Sequence, residues 1–249
     1  MRVYENLRFK NAAIAFCAVS IFLFAGVATA KDFWDTKAFD QWTQKECQKM
    51  LTDSPWVKEL NLTGVNYTGA DTAAATDSQA PYIKYNVQLR SAAPVRQAVV
   101  CQARIAQKYD SLPAAEKQAF DQRMESFLLG GSSDQVVVYV SVESNNRDRV
   151  RSLMQHWEFQ TTELLRNSVY LSTPKGKKIQ ISQFIPGATG SLEFQFIFPR
   201  DVDGEEILKP GDKALQLEFE YPVLGGMGDG RAFIDFKTDK MKFNNEVVY

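Results

Sequence analysis

VVVYVSVE (Val136–Glu143) is the stretch that decides the fold. Val136, Val138, Val140 and Val142 point one way, and Val137 and Tyr139 the other. A strand that is apolar on both sides belongs in the middle of a covered sheet. Downstream of Val169 the pattern changes to strands with one dry side. Leu192, Phe194, Phe196 and Phe198 form one apolar row, Leu215, Leu217, Phe219 and Tyr221 a second, and Ala232, Ile234 and Phe236 a third. Glu193, Gln195, Gln216, Glu218, Glu220 and Asp235 lie opposite them. One wet and one dry face predicts antiparallel strands packed on a single core.

Upstream of the central strand, Ile83, Tyr85, Val87 and Leu89 alternate with Lys84, Asn86, Gln88 and Arg90, which predicts a strand over Tyr82–Arg90. Pro94 then opens a helix at the position where its missing N–H is harmless. Its apolar stripe is predicted as Val95, Ala98, Val99, Ile105, Ala106 and Tyr109, with Arg96, Arg104 and Lys108 outside it. After the break Asp110–Pro113 a second helix aligns Phe120, Met124, Phe127 and Leu128 and stops at Gly130-Gly131. So short a join makes the pair an antiparallel helical hairpin. A further short helix is expected to end near Trp157.

The stretch Trp34–Trp56 holds the sharpest local signature. Thr43 and Glu46 form a T-x-x-E capping box, Trp42 and Cys47 stand where a hydrophobic staple forms, and Asp53-Ser54-Pro55 ends the helix. Bulky aromatics at both ends of a short capped helix make a packing device, not a reaction centre. Trp34, Trp42, Thr43, Glu46, Leu51, Thr52 and Ser54-Pro55-Trp56 spell W-x7-W-T-x2-E…L-T-x-S-P-W. In this opening the chain resembles a group of uncharacterised exported proteins encoded in acidobacterial genomes. Phe198-Pro199-Arg200 after a late strand and the aromatic Tyr249 also match that group. The resemblance implies a bacterial envelope setting and brings no activity, ligand or catalytic residue with it.

Residues 1–30 read as a signal peptide: Arg2, Arg8 and Lys10 precede the apolar run Ala12–Ala28, and Ala28-Thr29-Ala30 is an A-x-A cleavage site. That run is at the lower length limit of a membrane span, so a retained anchor is the alternative. Residues 31–249 are expected to form a single α+β domain. Within it, residues 31–62 hold the capped helix and first strand, and 63–81 a small, polar, flexible loop. Residues 82–167 hold a strand, the hairpin and the central strand, and 168–249 the antiparallel β region. At 45% hydrophobic residues the chain can supply a real core. The formal charge of −1, slightly more negative without the basic leader, argues against nucleic acid as a partner. Export permits a disulfide between Cys47 and Cys101; two buried free thiols are the alternative.

No residue emerges as catalytic, cofactor-binding or metal-ligating. His156 is the only histidine and stands beside Trp157, in a packing position. Zinc lacks its usual Cys and His ligands. Asp201-Val202-Asp203-Gly204-Glu205-Glu206 has the alternating carboxylates of a calcium loop without its full spacing, and a tight turn is the better reading. The Gly225–Gly230 run lies between strands and not before a helix, so it cradles no phosphate. Glu193, Glu218, Glu220 and Asp235 can stand side by side on the wet face, the arrangement a carboxylate-dependent hydrolase would use. The fold expected is α+β, an antiparallel sheet or β-sandwich with a packed helical hairpin. The function expected is a non-enzymatic, periplasmic or secreted binding or structural protein, its partner a protein or small ligand of the envelope. A periplasmic hydrolase and a membrane-tethered structural protein are the alternatives; membrane contact is expected only if the leader is retained.

Overall fold

The computed structural model describes residues 32–63, 80–130, 134–174 and 176–249. The expectations for the leader, for Lys175 and Gly131, and for residues 64–79 of the polar loop lie outside the described residues. The chain divides into two compact units, Met1–Thr36 and Lys37–Tyr249. In the first, α1 (Phe33–Thr36) sets the Phe33 and Trp34 rings edge to face at 5.0 Å.

The second unit opens with the capped helix, α2 (Gln44–Thr52). Both halves of the capping box are made: Glu46 N–H donates to Thr43 Oγ1 at 3.3 Å and Thr43 N–H to the Glu46 carboxylate at 2.8 Å. Lys37 joins Glu46 from outside at 2.5 Å. Beyond Pro55, the Trp56 indole is fully buried and donates to the carbonyl of Val248 at 2.7 Å. The hairpin follows as α3 (Ala93–Ala106) and α4 (Ala114–Leu129), closed by Gly130 at φ +101°, a left-handed cap that suits glycine. A disulfide joins Cys47 of α2 to Cys101 of α3. Cys101 shares the buried side of α3: Val95, Ala98, Val100 and Cys101 are inside, while Ile105 and Ala106, expected in the stripe, are exposed. On α4 only Phe120 is fully buried.

The strands form the antiparallel architecture expected. A five-stranded sheet runs β1 (Val57–Thr63), β2 (Tyr82–Leu89), β3 (Gln135–Ser144), β7 (Glu193–Pro199), β6 (Gln183–Pro186). A four-stranded sheet runs β11 (Arg231–Lys237), β10 (Ala214–Glu220), β4 (Val169–Ser172), β5 (Ile179–Gln180). Two small hairpins, β8 (Asp201–Val202) with β9 (Glu205–Glu206) and β12 (Lys242–Phe243) with β13 (Glu246–Val247), complete it. All pairings are antiparallel, and β3 is the centre of its sheet, as its sequence requires.

The two sheets meet through aromatic side chains. Tyr85 of β2 and Phe196 of β7 both reach Phe219 of β10, at 5.8 and 5.7 Å between ring centroids. Trp157, near the end of α5 (Arg147–Glu158), stacks on Phe194 at 4.1 Å and closes the aromatic core. Full burial of each such ring contributes roughly 1.5–3 kcal/mol, which makes this seam the main anchor between the sheets. A single turn, α6 (Thr162–Leu165), joins α5 to β4.

Candidate functional site: an arginine-lined cleft

The central strand sends Val136, Val138, Val140 and Val142 into the aromatic core. Its other face, Val137, Tyr139 and Ser141, is only half covered. Register then fixes the neighbours of that face. Gln88 and Gln195 flank Tyr139 from β2 and β7, and Arg90, one residue past β2, is held opposite Val137 by its N–H donating to the Val137 carbonyl at 2.7 Å. The chain turns at Ser91-Ala92 into α3. Ser91 Oγ accepts from the N–H of Val137 at 3.1 Å, which pins the mouth of the hairpin to the sheet.

Between that mouth and the half-covered face lies a cleft of about 360 Å³, lined among others by Arg90, Ser91, Arg96, Phe127, Val137 and Gln195. The size is at the small end of the range for small-molecule sites. Arg90 lies flat on the Tyr139 ring, 3.5 Å from its centroid, and its Nε donates to Gln88 Oε1 at 3.1 Å. Gln88 is itself held by donating to the Leu51 carbonyl of α2 and to Asn86, both at 2.9 Å. Arg96 donates Nε to the Leu128 carbonyl at 3.3 Å and Nη1 to the Ser91 carbonyl, so it ties the two ends of the hairpin together.

Burial pushes the pKa of both arginines down; for Arg96 the nearby charge of Arg200 adds to it. Tyr139 is pushed up to about 12, first by burial and then by its contact with Glu193, so it stays a neutral phenol at physiological pH. Among the described residues no carboxylate lies within ion-pair distance of Arg90 or Arg96. A partly desolvated cation without a paired anion is costly to maintain, and such groups cluster where ligands bind.

Other charged clusters are largely paired among themselves. A larger cleft of about 890 Å³ beside the disulfide is lined by Phe39, Trp42, Arg104, Lys108 and Tyr109. There Asp121 takes both Arg104, at 3.0 Å, and the Tyr109 hydroxyl, at 2.6 Å. The carboxylates expected on one wet face are divided. Glu193 stands on the five-stranded sheet, whereas Glu218, Glu220 and Asp235 share a face of the four-stranded one. Glu218 is not wet at all: 3% exposed, it lies between Tyr170 and Phe233 on the neighbouring strands and is paired with Lys178 and with Arg231 at 3.1 Å. Arg231 also holds Glu220, and Asp235 accepts from Gln216 at 2.8 Å.

His156 is half-buried, edge-on to Trp157 at 4.9 Å, and its pKa is lowered by burial. Its place near the end of α5 is one of packing. Asp203 and Gly204 both have positive φ, +58° and +81°, and join β8 to β9 as a tight hairpin turn. Among the described residues no group of three or more His, Cys, Asp or Glu is placed to hold a metal ion. None of their helices is long and apolar enough to cross a membrane. The Gly225–Gly230 loop folds on the Tyr221 hydroxyl, which donates to Asp229 at 3.2 Å.

Two features quoted with the Trp-rich opening come together here. Arg200 lies over the Tyr249 ring at 4.2 Å and donates to the Tyr249 backbone oxygen, while Trp56 holds Val248. This is a structural clamp, and Arg200 also reaches the Gln135 carbonyl at 3.5 Å, at the end of β3. Comparison with protein families, with curated proteins and with solved structures finds no match.

Arg90 and Arg96 were legible only as polar residues on the strand's wet side and outside the helix stripe. One signal did mark Arg96: the first turn of α3 carries it and no acidic residue, the reverse of what the helix dipole favours. A cation in that position is not stabilised by the helix that carries it.

Proposed function

We propose that this is a non-enzymatic binding protein of the bacterial envelope, periplasmic or secreted, that holds a small ligand in the cleft between β3 and the helical hairpin. The observation that carries the reading is the pair of half-buried arginines with no carboxylate at ion-pair distance among the described residues. The A-x-A leader, the Cys47–Cys101 disulfide and the resemblance of the Trp-rich opening support the envelope setting. A binding role also agrees with the occupied state of the candidate catalytic carboxylates, since Glu218 and Glu220 are committed to Lys178 and Arg231.

Native mass spectrometry of the purified protein incubated with an envelope extract tests this. The expected result is a small-molecule adduct on the parent that is lost from Arg90→Gln and returned chemically unchanged. An adduct retained equally by Arg90→Gln, or conversion of the compound to a product, overturns the reading. The mature N-terminus in the soluble envelope fraction should be Lys31; an intact leader on protein in the membrane pellet would favour the tethered alternative.

A further inference from the structure

We infer that the group recognised in this cleft is the carboxylate of a small organic acid whose hydrocarbon part lies against Val137 and Phe127. The inference rests on the binding role proposed above and names the chemistry of the ligand. Three observations lead to it.

Arg90 lies over Tyr139, whose side chain it also engages, and its Nε is taken by Gln88, so what remains for the cleft is its Nη groups. Two coplanar N–H donors match the two oxygens of a carboxylate, the pairing in which arginine gains most over lysine. Stacking and the Gln88 bond hold these groups in one orientation before any ligand arrives, so little side-chain entropy is lost on binding.

The second observation concerns donors from the backbone. Phosphate sites are commonly built from several main-chain N–H groups converging on one point. Here the N–H groups of Arg90, Ala92 and Val137 are all bonded internally, to Val137, Leu89 and Ser91. Those three N–H groups are therefore closed to a tetrahedral dianion. Glu193, which faces Arg90 from beyond Tyr139, further disfavours a doubly charged group. It is also the internal acceptor with which a ligand must compete.

The third is the lining itself. Val137 and Phe127 give the cleft an apolar wall, while Ser126, Gln135 and Gln195 supply neutral polar groups. A purely inorganic anion would leave that wall uncovered. An organic acid covers it and removes apolar area from water on both partners.

Calorimetric titration of the purified protein with hexanoate, benzoate, hexanamide and inorganic phosphate tests the assignment. Hexanoate or benzoate should bind at least tenfold more tightly than hexanamide and than phosphate. Arg90→Gln should weaken carboxylate binding by tenfold or more. Arg90→Lys keeps the charge but not the fork, and should fall between parent and Arg90→Gln. Unchanged thermal midpoints in both variants separate lost binding from lost folding. Phosphate binding as tightly as the carboxylates, or carboxylate affinity unmoved by Arg90→Gln, overturns the inference. An extract ligand that is lost from Arg90→Gln but carries no carboxyl group would sink the carboxylate assignment and leave the binding role standing. No Arg90-dependent ligand in either experiment sinks both.

Discussion

Reduction of the Cys47–Cys101 bridge should cost a large share of the stability while leaving the native structure in place. The two residues are 54 apart in sequence, so the bridge closes a loop containing β1, β2 and half of α3. For a closed loop of that length the chain-entropy model gives a loss of about 4 kcal/mol when the link is cut, because the unfolded chain regains its freedom. Both sulfurs lie in the interior, Cys47 at 0% and Cys101 at 6% exposure. Two reduced thiols can remain there as small apolar groups, so the folded state loses little. A domain of this size shifts its thermal midpoint by roughly 2–4 °C per kcal/mol, which predicts a fall on the order of 10 °C. Urea unfolding of the parent with and without dithiothreitol, and of the Cys47→Ala/Cys101→Ala variant, measures the effect. The reduced parent and the double variant should unfold at similar, lower midpoints. The urea dependence should also steepen, because an uncrosslinked chain exposes more surface on unfolding. Coincident oxidised and reduced midpoints would refute the argument, since the bridge would then constrain nothing that the packing of α2 on α3 does not already hold.

Three more outcomes are expected. The Glu46 carboxyl is held down to about 2, first by its hydrogen bond from Lys37 and then by the Thr43 N–H. Its stabilisation is thus present above its unfolded value near 4.5 and is lost as pH falls toward 2. Acid titration of stability should be shallower in Glu46→Gln than in the parent; parallel curves would count against the capping box as an acid-sensitive element. Replacing Trp56 by Ala should lower stability by roughly 3–5 kcal/mol in urea, because a fully buried ring and its bond to Val248 are lost together. Removing both cations from Glu218, as Lys178→Met with Arg231→Leu, strands a buried carboxylate and should cost roughly 3–5 kcal/mol, much of it recovered by adding Glu218→Gln. A double variant as stable as the parent would mean that solvent reaches Glu218.

How far the sequence could be read depended on the distance over which each feature is decided. The capping box involves residues three apart, and Thr43 and Glu46 pair as their spacing dictates. Strand alternation is equally local, which is why the rows Ile83–Leu89, Phe194–Phe198 and Leu215–Phe219 are buried where expected. The antiparallel sheets and the helical hairpin followed from those periods and a short join. Errors began where a third element chooses between two local options. Val99 and Val100 are both apolar, and the packing of α3 on α2, on the side where Cys101 lies, puts Val100 inside and Ile105 out. Glu218 reads as wet by alternation, yet Tyr170 and Phe233 arrive beside it from β4 and β11, and Lys178 and Arg231 neutralise it there. The cleft is the extreme case. Its residues come from the end of β2, both hairpin helices, β3 and β7, and the pairing of β2 and β7 with β3 together with the docking of the hairpin brings them together. The two-sided apolar character of Val136–Glu143 was nevertheless a true sign of it. A central strand needs a second apolar face only if something covers it, and here the hairpin covers that face in part. The portion it leaves open, floored by Tyr139 and Val137 and edged by Arg90, is the place where an organic anion can complete both the burial and the charge.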